Sequence, residues 1–215
     1  MELLNVQNIS YGYNKGNYVI SDMSLSFEGG RVHVLLGESG VGKTTLLLLL
    51  AGLDVCHKGR ILYNGEDLRD INRNHYRAKN VGVIFQQFNL LHKFNAVENL
   101  LVAMDISKYK IENRKQYAEN LLANLGINNA KCRRKVVELS GGEQQRVAIA
   151  RAISHNPEII IADEPTGSLD DANQKSVMEI LANSAHQDGK CVIIATHSHE
   201  VARYADHVFS ITQRH

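Results

Sequence analysis

Gly37-Glu-Ser-Gly-Val-Gly-Lys43-Thr44 is the stretch on which the fold turns. It follows the apolar run Val32-His-Val-Leu-Leu36 and opens into Thr45-Leu-Leu-Leu-Leu-Leu-Ala-Gly52, so a strand runs into a glycine-rich turn and then into a helix. Gly37, Gly40 and Gly42 can take backbone angles barred to other residues. Successive N–H groups then turn inward on a phosphate chain at the positive end of the following helix. Lys43 adds a point charge for the β- and γ-phosphates, and the Thr44 hydroxyl is placed for Mg²⁺. A flexible glycine turn before a buried helix is the plain alternative; the full eight-position pattern and its flanks argue against it. The loop alone does not say what is done with the nucleotide, since kinases, GTPases and motor ATPases all use one.

Composition narrows the class. The chain has 215 residues, 44% hydrophobic, with 24 basic and 23 acidic side chains and a formal charge of +1. That is an ordinary soluble α/β composition, with no bulk field to recruit nucleic acid or an anionic membrane. The basic cluster Lys131-Cys-Arg-Arg-Lys135 reads as a solvated loop. Cys56, Cys132 and Cys191 are far apart and include no Cys-x-x-Cys pair, which points to reduced thiols in a cytoplasmic protein. Met1-Glu-Leu-Leu-Asn5 has no secretory pattern. The longest apolar run, Leu46 to Leu53, falls well short of the roughly 20 residues a membrane span needs. If the protein works at a membrane, another chain is expected to supply the spans.

Along the chain, Val6 to Ser10 and Ser24 to Phe27 alternate as antiparallel strands, with turns at Asn14 to Asn17 and Gly29-Gly30. Tyr11 and Tyr13 close the first strand, where either ring could stack on an adenine or simply be a half-exposed strand aromatic. Arg60 to Asn64 reads as a further strand, Glu66 to Asn80 as a polar stretch, and Val81 to Phe85 as a buried strand leading into Gln86. A glutamine there reaches a metal or an attacking water, or merely closes a turn. Asn95-Ala-Val-Glu98 has the form of a capping box ahead of two amphipathic helices, through Val97 to Met104 and Tyr117 to Leu125. Residues from about 88 to 137 therefore read as a helical lobe inserted into an α/β core formed by 1–87 and 138–215.

Three later stretches carry chemistry. In Leu139-Ser-Gly-Gly-Glu143-Gln-Gln-Arg146, Ser140 caps a helix and Glu143 reaches back to the cap, making a second anion site with Gly141 and Gly142, or else only a well-capped surface helix. One chain has little use for two phosphate grips on one nucleotide, so the second grip is expected to serve another copy. Ile159-Ile-Ile-Ala-Asp163-Glu164 is a doubly buried strand that delivers two carboxylates at its carboxyl end. Asp163 can hold Mg²⁺ through water, and Glu164 can polarise or deprotonate a water aimed at the γ-phosphate. Ser168-Leu-Asp170 then precedes a helix, and Cys191 to Ala195 delivers Thr196-His197-Ser198-His199. His197 can touch the γ-phosphate or steady the water. A zinc reading of His197 and His199 is set aside because no cysteine or carboxylate cluster accompanies them.

In this order the stretches resemble the ATP-binding cassette (ABC) ATPases, the motor subunits of ABC transporters, from Val6 to about Ile211. Gly37 to Thr44 matches the family's Walker A loop, Gln86 its Q-loop, and Leu139 to Arg146 its signature. Asp163 and Glu164 match its Walker B pair, Asp170 its D-loop and His197 its switch histidine. Tyr13 looks like the adenine-stacking aromatic, ahead of Tyr11. Phe85 to Leu91 and Ala162 to Asp170 look most like the branch that includes lipoprotein-release, macrolide-export and antimicrobial-peptide-export ATPases. Ser198 departs from the acidic residue often found after the histidine. The chain stops at His215, so no C-terminal regulatory domain is expected.

The resemblance implies a P-loop core with a mostly parallel sheet, an antiparallel β subdomain and an α-helical subdomain. It implies a homodimer that sandwiches two MgATP. Gly37, Ser39, Gly40, Gly42, Lys43, Thr44 and Thr45 of one copy would grip each nucleotide, and Ser140 and Gly142 of the other would complete it. Lys43, Gln86, Glu164 and His197 are expected to be catalytic, with Thr44, Gln86 and Asp163 toward Mg²⁺. The implied partner is a transmembrane permease at the cytoplasmic face, docked beside Gln86 through Phe88, Leu90, Leu91 and Phe94, unless these pack within the lobe. Several competing readings lack their marks. There is no second cassette or sustained heptad run as in translation and repair members, and no Asn-Lys-x-Asp guanine reader follows the loop. A small-molecule kinase would leave the signature helix unexplained. A motor that gates a membrane enzyme by force, transporting nothing, would read the same.

Overall fold

A computed structural model describes residues 2–14, 18–167 and 169–212. Most of the expected turn at Asn14 to Asn17, and Ser168 of the expected D-loop, lie outside them. In chain order come β1 (Glu2–Tyr11), β2 (Ile20–Glu28), β3 (Arg31–Leu36), α1 (Lys43–Leu50), β4 (Lys58–Tyr63) and β5 (Glu66–Asp67). Next are α2 (Arg73–Lys79), β6 (Val81–Ile84), α3 (Ala96–Ser107), α4 (Arg114–Asn124), α5 (Asn129–Cys132) and a 3-10 turn at Val136–Glu138. The last part comprises α6 (Gly141–Ile153), β7 (Ile159–Asp163), α7 (Asp171–His186), β8 (Cys191–Thr196), α8 (His199–Ala202) and β9 (His207–Ser210).

The apolar runs of β3, β7 and β8 are buried along nearly their whole length, which fits a sheet covered on both faces. They lie in a five-stranded sheet of order β6-β7-β8-β3-β9 in which every pairing is parallel. The carboxyl ends of β6, β7, β8 and β3 therefore stand side by side, where such sheets bind ligands. A second, antiparallel sheet of order β2-β1-β4-β5 lies alongside. β1 and β2 are longer than the alternation suggests. Asn8 and Asp22 take positive φ, at 49° and 46°, and the β1–β2 register shifts between Val6 and Ile9 and again before Tyr11, so the side chains change face mid-strand.

The polar stretch from Glu66 to Asn80 contains α2, which the sequence reading did not anticipate. Asn72 caps it by accepting from the His75 N–H, and Tyr76 is its single buried residue, donating to the Leu50 carbonyl at 2.9 Å. One inward side chain leaves no helical period to read. The capping box at Asn95 and Glu98 is present on α3. Val97, Leu100 and Leu122 of the helices between β6 and α6 share one core with Ile84, Val147 and Ile160. Leu90, expected at a docking surface, is buried in that same core; Leu91 and Phe94 are exposed, while Phe88 packs partly against it. All three cysteines are buried free thiols.

Candidate functional site

The loop between β3 and α1 is held open by glycine. A Cβ on Gly37 would stand 2.3 Å from the Ile211 carbonyl oxygen, so no other residue fits beside β9 there. Gly42, with φ 98°, begins α1 without any side-chain cap, which leaves the first-turn N–H groups to a ligand. Lys43 is buried and curls back over the loop, its Nζ donating to the Gly37 and Glu38 carbonyls, each at 2.8 Å. A cavity of about 420 Å³ lies in front, lined by Tyr13, Ser39, Gly40, Gly42, Lys43, Thr44, Thr45, Gln86, Asp163, Glu164 and His197. A larger groove of about 620 Å³ runs between β2 and β9, but Asp22 is the only carboxylate among its described lining residues, so the chemistry belongs to the smaller cavity.

On one side of the cavity Tyr13 is 64% exposed and its hydroxyl lies 3.0 Å from Thr45 Oγ1. Tyr11 points inward instead. It is buried and donates to Asp54 Oδ2 at 2.6 Å, a bond that, with burial, pushes the phenol up to about 12. Its ring meets Tyr13 edge-on at 5.4 Å, so Tyr13 alone of the pair offers a free face.

At the end of β7, Asp163 Oδ2 accepts from Thr44 Oγ1 at 2.8 Å. Burial, with the adjacent Glu164 charge, pushes the Asp163 carboxyl above its usual range, against the pull of Thr44 and Lys43. A desolvated carboxylate with one hydroxyl partner retains acceptor capacity. Together with the Thr44 hydroxyl and the Gln86 amide carbonyl, it forms the all-oxygen donor set that suits a hard divalent cation such as Mg²⁺.

Glu164 has a φ of 45°, a left-handed conformation that a glutamate adopts only under outside constraint. The constraint comes from the end of β8. The Glu164 N–H donates to the Ala195 carbonyl at 2.9 Å, and its Oε2 accepts from Thr196 Oγ1 at 3.0 Å. Its Oε1 accepts from the His197 N–H at 3.1 Å and pairs with His197 Nδ1 at 2.8 Å. The carboxylate is thus fixed in direction, with His197 largely exposed beside it. Thr196 was not singled out in the sequence; a strand-end hydroxyl directly before His197 was the available signal.

Ser140 and Gly142 do not line this cavity. They begin α6, where the Ser140 N–H donates to Glu143 Oε2 at 2.9 Å and Ser140 Oγ accepts from the Glu143 N–H at 3.4 Å. Lys131, from the cluster read as a solvated loop, donates to Glu143 at 2.5 Å and, ahead of the cap bonds, holds that carboxyl below its usual range. Arg146 donates to Asn173 at 2.6 Å, and Asn173 donates to Asp170, so the signature helix is tied to the start of α7. Lys131 carried no local signal because its partner lies 12 residues on, and Asn173, though it bonds Asp170 three residues before it, carried no sign of its tie to Arg146, 27 residues away.

The chain matches the family described as ABC transporter over residues 20–167. It is 41% identical to the ABC transporter ATP-binding protein YclH of Bacillus subtilis, over 96% of this chain and 92% of that protein. It is 38% identical to the macrolide export ATP-binding/permease protein MacB of a Shewanella species, over 90% of this chain and 30% of that longer protein. This agrees with the branch expected from the motifs. Among solved structures, the dimeric bacterial ABC transporter cassette MJ0796 superposes with a TM-score of 0.90 at 31% identity, covering 97% of this chain and 94% of that one. The same cassette in a dimeric post-hydrolysis state bound to ADP and Pi gives 0.91 at 30% identity, covering 98% and 95%. An uncapped phosphate loop facing a constrained glutamate, in a chain this similar along nearly its whole length, leads to one conclusion: the chain belongs to the ABC transporter family as an ATP-binding cassette, an ATPase subunit.

Proposed function

We propose that two copies of this chain close head to tail on two MgATP and that reopening after hydrolysis drives a separate transmembrane permease. In each site Tyr13 stacks on the adenine. Gly37, Ser39, Gly40, Gly42, Lys43 and Thr45 hold the phosphates, while Ser140 and Gly142 of the other copy cover the terminal one. Glu164, aimed by Thr196 and His197, takes the proton of the attacking water, and His197 steadies the γ-phosphate. Thr44, Gln86 and Asp163 are the residues that would hold Mg²⁺, which when bound neutralises charge on the β- and γ-phosphates. Residues of about 88–137 act as the helical subdomain of a single cassette spanning 1–215.

The observation that carries this reading is the separation of two anion sites on one chain. The α1 start opens on the cavity with Glu164, whereas the exposed Ser140 start of α6 lies outside it. No helix among the described residues is long and apolar enough to cross a membrane. In this reading the permease supplies the spans and holds the cassette at the cytoplasmic face. Similarity to MacB, whose name joins an ATP-binding part to a permease, and the exposed Leu91 and Phe94 that follow Gln86 in the chain support that partner.

Mixing tests the composite site. Lys43→Ala and Ser140→Arg chains should each be inactive alone. Mixed, they should regain part of the wild-type ATP hydrolysis, because one site of each mixed dimer then has both halves intact. No recovery, with mixed dimers demonstrated by cross-linking, would return the signature to its own chain.

A further inference from the structure

Two successive residues of α6 fasten the signature helix to the segment that follows Glu164. Gln145 is 2% exposed, and its Nε2 donates to the Pro165 carbonyl at 2.7 Å. Arg146 reaches further along, its Nη1 donating to Asn173 Oδ1 at 2.6 Å. Among the described residues Arg146 forms no salt bridge, and its Nε is buried without a hydrogen bond. The Asn173 amide is therefore what holds the guanidinium in direction.

Asn173 faces three ways. Besides accepting from Arg146, its Nδ2 donates to Asp170 Oδ1 and Oδ2, each at 2.9 Å, and its backbone N–H donates to Asp170 Oδ1 at 2.9 Å. These bonds, the backbone one foremost, hold the exposed Asp170 carboxyl below its usual range. The amide also lies against the start of α6, since a Cβ on Gly142 would stand 3.5 Å from its Cγ and Nδ2. A group set between a guanidinium and a carboxylate must accept from one and donate to the other. An amide does both, whereas a carboxylate only accepts and an ammonium only donates.

The Ser140 start of α6 is exposed and outside the cavity of its own chain, so its direction depends on what braces the helix from behind. We propose that Asn173 is a positioning residue for hydrolysis at the other copy's site: clipped between Arg146 and Asp170, it fixes the angle at which Ser140 and Gly142 meet that copy's triphosphate. This rests on the composite-site reading above and names the residue that aims the signature half. Its effect falls on the rate, because a displacement of about 1 Å in a positioning element can cost on the order of 10²-fold. Nucleotide binding to the α1 loop of the same chain does not pass through it.

The test extends the mixture of Lys43→Ala and Ser140→Arg chains, whose single live site joins the loop of the Ser140→Arg chain to the signature of the Lys43→Ala chain. Asn173→Leu, which keeps the size and removes both ends of the clip, is added to one chain or to the other. On the Lys43→Ala chain it should lower the recovered kcat about tenfold, with the Ser140→Arg chain's affinity for ATP unchanged. On the Ser140→Arg chain, whose own signature is already disabled, it should leave the recovered rate as it was. Asn173→Asp, which still accepts from Arg146 but repels Asp170, should show the same asymmetry. Equal losses in the two placements, tracking a lower denaturation midpoint, would reduce Asn173 to a folding role and overturn the proposal, as would no loss in either. Failure of the parent mixture to recover activity is seen before Asn173 is touched, and it would overturn the composite site itself.

Discussion

The two helix starts proposed to hold phosphate differ in how much they satisfy themselves. At α1 the cap is Gly42, no side chain reaches the first N–H groups, and Lys43 spends its protons on the loop carbonyls. At α6 the cap is complete: Ser140 and Glu143 satisfy each other, and Lys131 secures Glu143. An uncapped start forgoes about 1 kcal/mol of helix stability, which is tolerable where a triphosphate supplies the missing acceptors. If, as proposed, the α6 start meets its ligand only when a second copy arrives, it must stand exposed without one, and the capping box keeps it formed. On the proposed function, the difference is that between a resident grip and a visiting one.

The largest test of that contrast lies on the α1 side. Glu164→Gln should lower ATP turnover on the order of 10²–10⁴-fold while leaving ATP binding and ATP-driven dimerisation intact, read by phosphate release and light scattering. Wild-type turnover in this variant would remove Glu164 from the reaction and leave the resident site a binding site only. Next in size is Gly42→Ala. The new Cβ would sit 3.0 Å from Val19 Cγ1 in a backbone of φ 98°, so unfolding stability should fall by about 1–3 kcal/mol and ATP affinity with it. An unchanged denaturation midpoint would show that the loop does not depend on glycine there.

The smallest effect belongs to α6. The folded-state pKa of Glu143 is depressed, so its contribution to stability is present above the unfolded value of about 4.5 and is lost as pH falls through the lower folded value. Glu143→Gln should therefore destabilise the chain by about 0.5–1 kcal/mol at neutral pH and match the wild type at strongly acid pH. Denaturant midpoints across pH measure this. A difference that persists at acid pH would mean the cap does not rest on the Glu143 charge.

How much could be read from sequence follows the range of the interactions. The glycine loop, the Ser140 and Asn95 capping boxes, and the apolar strands before Asp163 and Thr196 are short-range patterns, and each formed as read. α2 escaped because only Tyr76 turns inward. The full lengths of β1 and β2 escaped because positive-φ residues shift the alternation. Leu90 and Leu91 are adjacent and equally apolar, yet only contact with the core makes one buried and the other exposed. Likewise nothing in Lys131-Cys-Arg-Arg-Lys135 marks Lys131 as the residue that steadies the signature cap.

By itself the sequence determined the family, the parallel core, and the glycine loop and capped helix start proposed to meet phosphate, because backbone freedom, helix capping and strand burial are properties of neighbouring residues. Tertiary structure decided which of Tyr11 and Tyr13 presents a free ring, that Thr196 and His197 aim Glu164, and that Thr44 meets Asp163 across 119 residues. Those outcomes depend on which strand ends lie side by side in the sheet, and strand order is set by the packing of the whole chain.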